Sequence, residues 1–235
     1  MKSTVIIDCF PESVYSYKDS YAVVVIDIIR ATTTVTTALS LGRRIFPVRT
    51  TDDAFAVAAK LKDPLLVGEL GGNVPYGFEI TNSPAQIAER TDVNRPMVFI
   101  SSSGTQLMMN AEGSEAVYIS CLRNLSALTN YIAGRHKHVA VIGAGTRGEF
   151  RLEDQMGCAW VAESLVNAGF KTGNCETEEY ISRWSGAGLQ EVRKSKSVEY
   201  LLKTGQEQDL EFIINHIDDL SIVPSLVKGE VIQVK

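Results

Sequence analysis

The apolar run Ala22-Val23-Val24-Val25-Ile26, closed by Asp27, constrains the fold more than any other part of the chain. Four of its five residues are β-branched, which favours a strand. The run shows no polar alternation, so the strand is expected to be buried. Asp27 is followed by Ile28-Ile29-Arg30-Ala31 and then by Thr32-Thr33-Thr34, where a helical pattern begins that runs to Leu41. The segment thus reads as buried strand, polar loop and helix start. An acid, a fixed cation and several hydroxyls at a strand's carboxyl end suit a phosphate or a metal–phosphate pair. The acid can hold a hard cation, Arg30 can grip phosphate oxygens bidentately, and hydroxyls and helix N–H groups can take the remaining charge. A plainer reading also fits: Asp27 caps a helix and Arg30 pairs at the surface.

Similar strand-like runs recur at Thr4–Ile7, Arg44–Val48, Leu65–Val67, Met97–Ile100, Ala116–Ile119 and His138–Ile142. Helical patterns separate many of them, at Asp52–Leu61, Ser83–Arg90, Gly104–Asn110 and Asn124–Ala133. Such alternation predicts an α/β sheet with helices on its faces, mainly parallel pairing, and ligands at the strands' carboxyl ends. Beyond Phe150 the pattern turns helical, at Leu152–Ala168, 176–184, 195–203 and 206–216, with a closing strand at Glu230–Val234. No repeat or low-complexity linker sets this part off. One domain over 1–235 is expected, with the helix-rich part 151–235 wrapping the same sheet or forming a smaller lobe.

A net charge of -5 and a pI near 5.3 argue against nucleic acid as a partner. No apolar stretch of about 18 residues predicts a membrane span, and the first ten residues lack the apolar core of a signal peptide. Cys9, Cys121, Cys158 and Cys175 are far apart and form no CxxC pair, so zinc ribbons and thioredoxin-like motifs are not expected. Reduced thiols in a cytoplasmic protein are the natural reading.

Four further loops carry polar chemistry. Glu69 stands among glycines in Gly68-Glu69-Leu70-Gly71-Gly72, where a ligand can approach without side-chain obstruction, although a solvated turn would look the same. In Thr81-Asn82-Ser83-Pro84, Ser83 reads as an N-cap with proline at N1, leaving Asn82 free to point elsewhere. The loop Ser101-Ser102-Ser103-Gly104-Thr105 joins a strand to a helix and can cradle an anion, or simply cap the helix. It has neither the lysine of a Walker A loop nor the G-x-S-x-G of a nucleophile elbow. The last loop, Gly143-Ala144-Gly145-Thr146-Arg147-Gly148, precedes Glu153 and Asp154. Those paired acids could ligate a cation or merely complement a helix dipole.

That last loop also fits G-x-G-x-x-G, the mark of a nicotinamide-binding oxidoreductase. No strand ending in a ribose-binding acid follows about 20 residues later, so the match is weak. Asp27 does not fit the Asp-x-Asp of haloacid dehalogenase-type phosphatases, because Ile29 holds the second position. The three histidines suggest no Ser–His–Asp or Cys–His set.

Taken together, the loops resemble the 2-phosphosulfolactate phosphatase family. The resemblance is carried by Val25 to Thr34, Gly68-Glu69, Gly77-Phe78-Glu79, Asn82-Ser83-Pro84, Ser103-Gly104-Thr105, Asn124, Gly145 and Glu153-Asp154. It continues through Arg193-Lys194-Ser195, Asp209-Leu210 and Val223-Pro224, nearly end to end. One departure lies in the anion loop, where the family's asparagine is replaced by Ser103. The resemblance implies a three-layer α/β/α fold with a largely parallel or mixed sheet. It also implies a magnesium-dependent acid phosphatase that hydrolyses 2-phospho-3-sulfolactate to 3-sulfolactate and phosphate, a step of coenzyme M biosynthesis.

On that basis Mg²⁺ is expected on carboxylates drawn from Asp27, Glu69, Glu153 and Asp154, with Asp27, Arg30, Glu69 and Asp154 as the catalytic group. Thr32, Thr33, Asn82, Ser103, Gly104 and Thr105 are expected to bind the phosphoryl group. Arg193 or Lys194 is expected to hold the substrate's sulfonate or carboxylate. The expected partner is a small phosphorylated sulfonate or carboxylate, and the chain is expected to be a cytoplasmic enzyme, with a homo-oligomer possible. Two alternatives stay open: an oxidoreductase using Gly143–Gly148, and an anion-binding module without turnover.

Overall fold

A computed structural model describes residues 3–235. Its strands are β1 (Thr4–Cys9), β2 (Ala22–Ile26), β3 (Ile45–Pro47), β4 (Leu65–Gly68), β5 (Met97–Ile100), β6 (Ala116–Ser120), β7 (His138–Gly143), β8 (Lys171–Thr172), β9 (Val223–Val227) and β10 (Glu230–Val234). Its helices are α1 (Ala31–Ser40), α2 (Thr51–Ala58), α3 (Pro84–Glu89), α4 (Gly104–Ala111), α5 (Leu125–Ile132), α6 (Leu152–Asn167), α7 (Cys175–Trp184), α8 (Lys196–Lys203) and α9 (Glu207–Asn215).

The strands form one mixed sheet in the order β4-β5-β3-β10-β9-β6-β2-β7-β1-β8. Two parallel blocks, β4-β5-β3 and β6-β2-β7-β1-β8, carry the parallel pairing that the alternation predicts. The C-terminal β9–β10 hairpin joins them, antiparallel to both. The β9 strand escapes sequence reading because Pro224 and Ser225 interrupt its apolar pattern. A proline inside a sheet is unusual. It is tolerated here because β9 meets β6 through a single register pair, Tyr118 with Ser225. The Ser225 hydroxyl adds a bond there by donating to the Val117 carbonyl at 2.8 Å.

β2 lies inside the larger block, between β6 and β7, and every one of its residues is buried. Its alternating side chains feed two cores. Val23 and Val25 pack with Val35 of α1, Ile87 of α3 and Leu107 of α4. Val24 and Ile26 pack on the other face with Leu128 of α5, Met156 of α6, Leu201 of α8 and Leu210 of α9. Helices therefore cover both faces and the fold is a three-layer α/β/α arrangement. The helices from α6 onward share their apolar cluster with β1, β2 and β7.

The polar helix α1 is also buried, and several of its threonines bond to the segments packed around it. Thr33 donates to the Ile28 carbonyl at 2.8 Å, Thr34 donates to Asn82 Oδ1 at 2.7 Å, and Thr37 accepts from Arg123 at 2.9 Å. These bonds fix the loop after β2 from below.

Candidate active site

A cleft of about 460 Å³ opens where the loops after β2, β4, β5 and β7 meet the start of α8. Asp27 and Arg30 enter it from β2, and Glu69 from β4. Ser102 and Ser103 enter it from β5. The loops are tied together before any ligand arrives. Glu69 Oε1 accepts from the Ser102 N–H at 2.8 Å, and Oε2 accepts from the Gly72 N–H at 2.7 Å and the Ser102 hydroxyl at 2.9 Å. Tyr200 of α8 closes one side by donating to the Gly72 carbonyl at 3.0 Å.

Asp27 sits between two helix starts. Its Oδ1 accepts from the Ala31 N–H of α1 at 3.2 Å. The first residue of α4, Gly104, lies so close that a Cβ there would stand 2.5 Å from Asp27 Oδ2 and 2.5 Å from the Ala31 methyl. Only glycine lets the α4 terminus come this near. Beneath it, Ser101 and Thr105 lock the turn: the Thr105 N–H donates to the Ser101 hydroxyl at 2.9 Å and the Thr105 hydroxyl donates to the Ser101 carbonyl at 2.9 Å.

Arg30 is buried, yet borders the cleft. Its Nη1 donates to Asp209 Oδ2 at 2.7 Å and to Gln206 Oε1. Asp209 is itself held by the Ser83 hydroxyl at 2.5 Å and the Ala85 N–H at 3.1 Å. Ser83 also caps α3 as its sequence position predicts. The α9 carboxylate thus orients a cation from the other end of the chain, a role its place in the sequence does not disclose.

Glu153 and Asp154 lie below the cleft, both buried, in the first turn of α6. Asp154 Oδ1 accepts from the Ile28 N–H at 2.9 Å. Burial pushes the Asp27 carboxyl up to about 7; Glu69 and Glu153 add to the push, while the Ala31 N–H and Arg30 oppose it. Burial, with Asp27 and Glu153 nearby, raises Asp154 well above the usual carboxylate range. Burial also raises Glu153, whose Oε2 has no hydrogen-bond partner among the described residues. Crowded buried acids and an orphan oxygen favour a shared proton or a nearby cation.

Magnesium commonly takes one or two carboxylates, completing its shell with water and phosphate oxygens. Of the four acids expected as ligands, Asp27 and Glu69 face the cleft and suit that mode. The four carboxylates expected as ligands do not form one cage: among the described residues no three His, Cys, Asp or Glu side chains converge on a point for an ion. Glu153 and Asp154 sit under Asp27 rather than beside the cleft, because the α6 turn that carries them packs against the Ile28 backbone.

Other expected residues are placed as follows. Asn82 and Ser103 line the cleft, and Gly104 forms the close approach to Asp27. Thr32, Thr33 and Thr105 are buried, and their hydroxyls bond to the backbone at Asp27, Ile28 and Ser101. They shape the loops from below. Arg193 and Lys194 are exposed, paired with Glu211 at 3.2 Å and Glu191 at 2.6 Å, and do not border the cleft. The cations that do border it beside Arg30 are Arg147, Arg151 and Lys196.

The Gly143–Gly148 loop does not open directly onto a helix. The α6 helix begins only at Leu152, and its first turn buries two acids where a pyrophosphate would need N–H groups. Among the described residues no helix is long and apolar enough to cross a membrane.

The family model described as 2-phosphosulpholactate phosphatase matches residues 9–229. The chain is 31% identical over 216 residues to a protein of Symbiobacterium thermophilum named probable 2-phosphosulfolactate phosphatase, covering 89% of this chain and 92% of that one. Proteins of the same name from Thermotoga petrophila and Thermotoga maritima are 32% and 31% identical, each spanning 88% of this chain and 89% of its own length.

Proposed function

The chain belongs to the 2-phosphosulfolactate phosphatase family, and from that premise we propose that it is a magnesium-dependent phosphatase that hydrolyses 2-phospho-3-sulfolactate to 3-sulfolactate and phosphate. The observation that carries this reading is the meeting of Asp27, Arg30 and the start of α4 in one cleft.

The phosphoryl group is received at that meeting point. Arg30 is held by Asp209 through one guanidinium nitrogen, so the fork is oriented in advance. The first turn of α4 and the Ser103 hydroxyl add donors to an equatorial oxygen, and the helix dipole favours the negative charge. Asp27 and Glu69 would hold the magnesium ion, which supplies Lewis-acid stabilisation of phosphoryl charge when bound.

With no metal bound, burial pushes the Asp27 carboxyl up to about 7, and a magnesium ion on it would favour the ionised form. Glu153 below Asp27 adds to that push without bordering the cleft. All four cysteines are free, which suits a reducing cytoplasm.

The test is phosphate release from phosphosulfolactate in the presence and absence of Mg²⁺, with Arg30→Gln as the variant. We expect metal-dependent release and a loss of at least 100-fold in kcat/KM for the variant. Equal release by the variant contradicts the assignment of the phosphate site.

A further inference from the structure

The cleft has a second positive end that the phosphate site does not use. Arg147 and Arg151 reach it from the loop between β7 and α6, and Lys196 from the first position of α8. A single carboxylate, Glu149, serves two of them, accepting from Arg151 at 2.9 Å and from Lys196 at 2.6 Å. Glu199 also borders the cleft, but it pairs with Lys203 at 2.6 Å. Arg147 makes no ion pair among the described residues, and its side chain is exposed. Arg151 is nearly enclosed, and its Nε is buried with no hydrogen-bond partner. An unsatisfied buried donor is costly unless a ligand completes it.

This cationic wall borders the same cleft as Asp27 and Arg30, so a molecule small enough for the cleft meets both ends. Arginine suits planar or tetrahedral oxoanions because its fork donates two parallel hydrogen bonds. The Ser197 side chain of α8 also borders the cleft.

We infer that Arg147, Arg151 and Lys196 form a second oxoanion subsite, which holds the sulfonate or carboxylate of the substrate while Arg30 and the α4 start hold its phosphate. The inference rests on the phosphatase reading. It assigns the selection of acid-bearing phosphomonoesters to these three cations. An ester whose tail lacks an acid leaves the wall unpaired and is a poor substrate.

The test compares the wild type with Arg151→Gln, Arg147→Gln and the control Arg193→Gln. Two readouts are needed: kcat/KM for 2-phosphosulfolactate against p-nitrophenyl phosphate, and the Kd of sulfolactate by calorimetry. The subsite predicts that the ratio of the two kcat/KM values falls at least tenfold in each cleft variant. It also predicts that sulfolactate binds at least tenfold more weakly, and that Arg193→Gln changes neither quantity. An unchanged ratio with unchanged sulfolactate affinity in both cleft variants overturns the inference. A similar loss in Arg193→Gln overturns it as well. Should the wild type release phosphate from no ester, the phosphatase reading fails and the sulfolactate titration alone decides. Binding that is lost in the cleft variants then upholds the subsite, and binding that is absent from the wild type or unaltered in the variants rejects it.

Discussion

Asp209 Oδ2 stands 2.7 Å from Arg30 Nη1, and the two side chains are 1% and 5% exposed. Their partners come from α9 and from the loop after β2, 179 residues apart in the chain. The pair therefore locks the C-terminal helices to the Asp27 end of the cleft.

Asp209→Asn removes the charge and leaves Arg30 buried without a counter-ion. Breaking one side of such a pair costs about 3–5 kcal/mol. Denaturant unfolding should show a loss of that order, and the surviving folded enzyme should have a raised KM because Arg30 is no longer held. A variant as stable as the wild type would show that the pair is not buried in solution.

Gly104→Ala tests the approach of α4 to Asp27. The added methyl would stand 2.5 Å from the Asp27 carboxylate and from the Ala31 methyl, neither of which is the end of a flexible chain. Overpacking of this kind costs about 1–3 kcal/mol. Phosphate release should fall at least tenfold, with the loss seen in kcat. A fully active alanine variant would mean that the helix start does not serve the site.

Stability should depend on pH in a defined direction. The folded carboxyl of Asp27 lies near 7, above its value in the unfolded chain, and Glu153 and Asp154 are raised too. Folding then takes up protons between the ordinary carboxylate range and about pH 7. The contribution is fully present below that window and is lost as pH rises through it. In chelator, wild-type Tm should fall between pH 5 and pH 7.5. Asp27→Asn should flatten that fall and be more stable than the wild type at pH 7.5. The opposite slope would show that the acids are stabilised as anions.

Lys194→Gln should be nearly silent. Lys194 is exposed and pairs only with Glu191, three residues before it on the surface. Such pairs contribute about 0–1 kcal/mol. Thermal melting and phosphate turnover should both match the wild type. A tenfold loss of turnover would place the Arg193-Lys194 segment in substrate binding after all.

How much of this was legible in sequence depended on contiguity. The convergence of Asp27, Arg30 and Ser103-Gly104 was readable because the first two lie three residues apart at the close of one apolar strand, and the others at the close of another. The alternation of strands and helices likewise announced the layered sheet. Of the joining hairpin only β10 showed, at Glu230–Val234, because Pro224-Ser225 break the pattern that marks a strand in β9. Arg193-Lys194, the densest basic run, does not border the cleft. Density is a poor guide there, since those side chains satisfy their charge on nearby glutamates, whereas Arg147, Arg151 and Lys196 are scattered and share Glu149. Asp209 belongs to the family resemblance, but nothing local to it in the sequence points to Arg30.

The most direct test of the account is phosphate release from 2-phosphosulfolactate by the wild type and Asp27→Asn, each titrated with Mg²⁺. The account predicts metal-dependent release by the wild type and at least a 1,000-fold loss in the variant, with the fold intact by circular dichroism. Metal-independent release, or a variant that retains full activity, would contradict it.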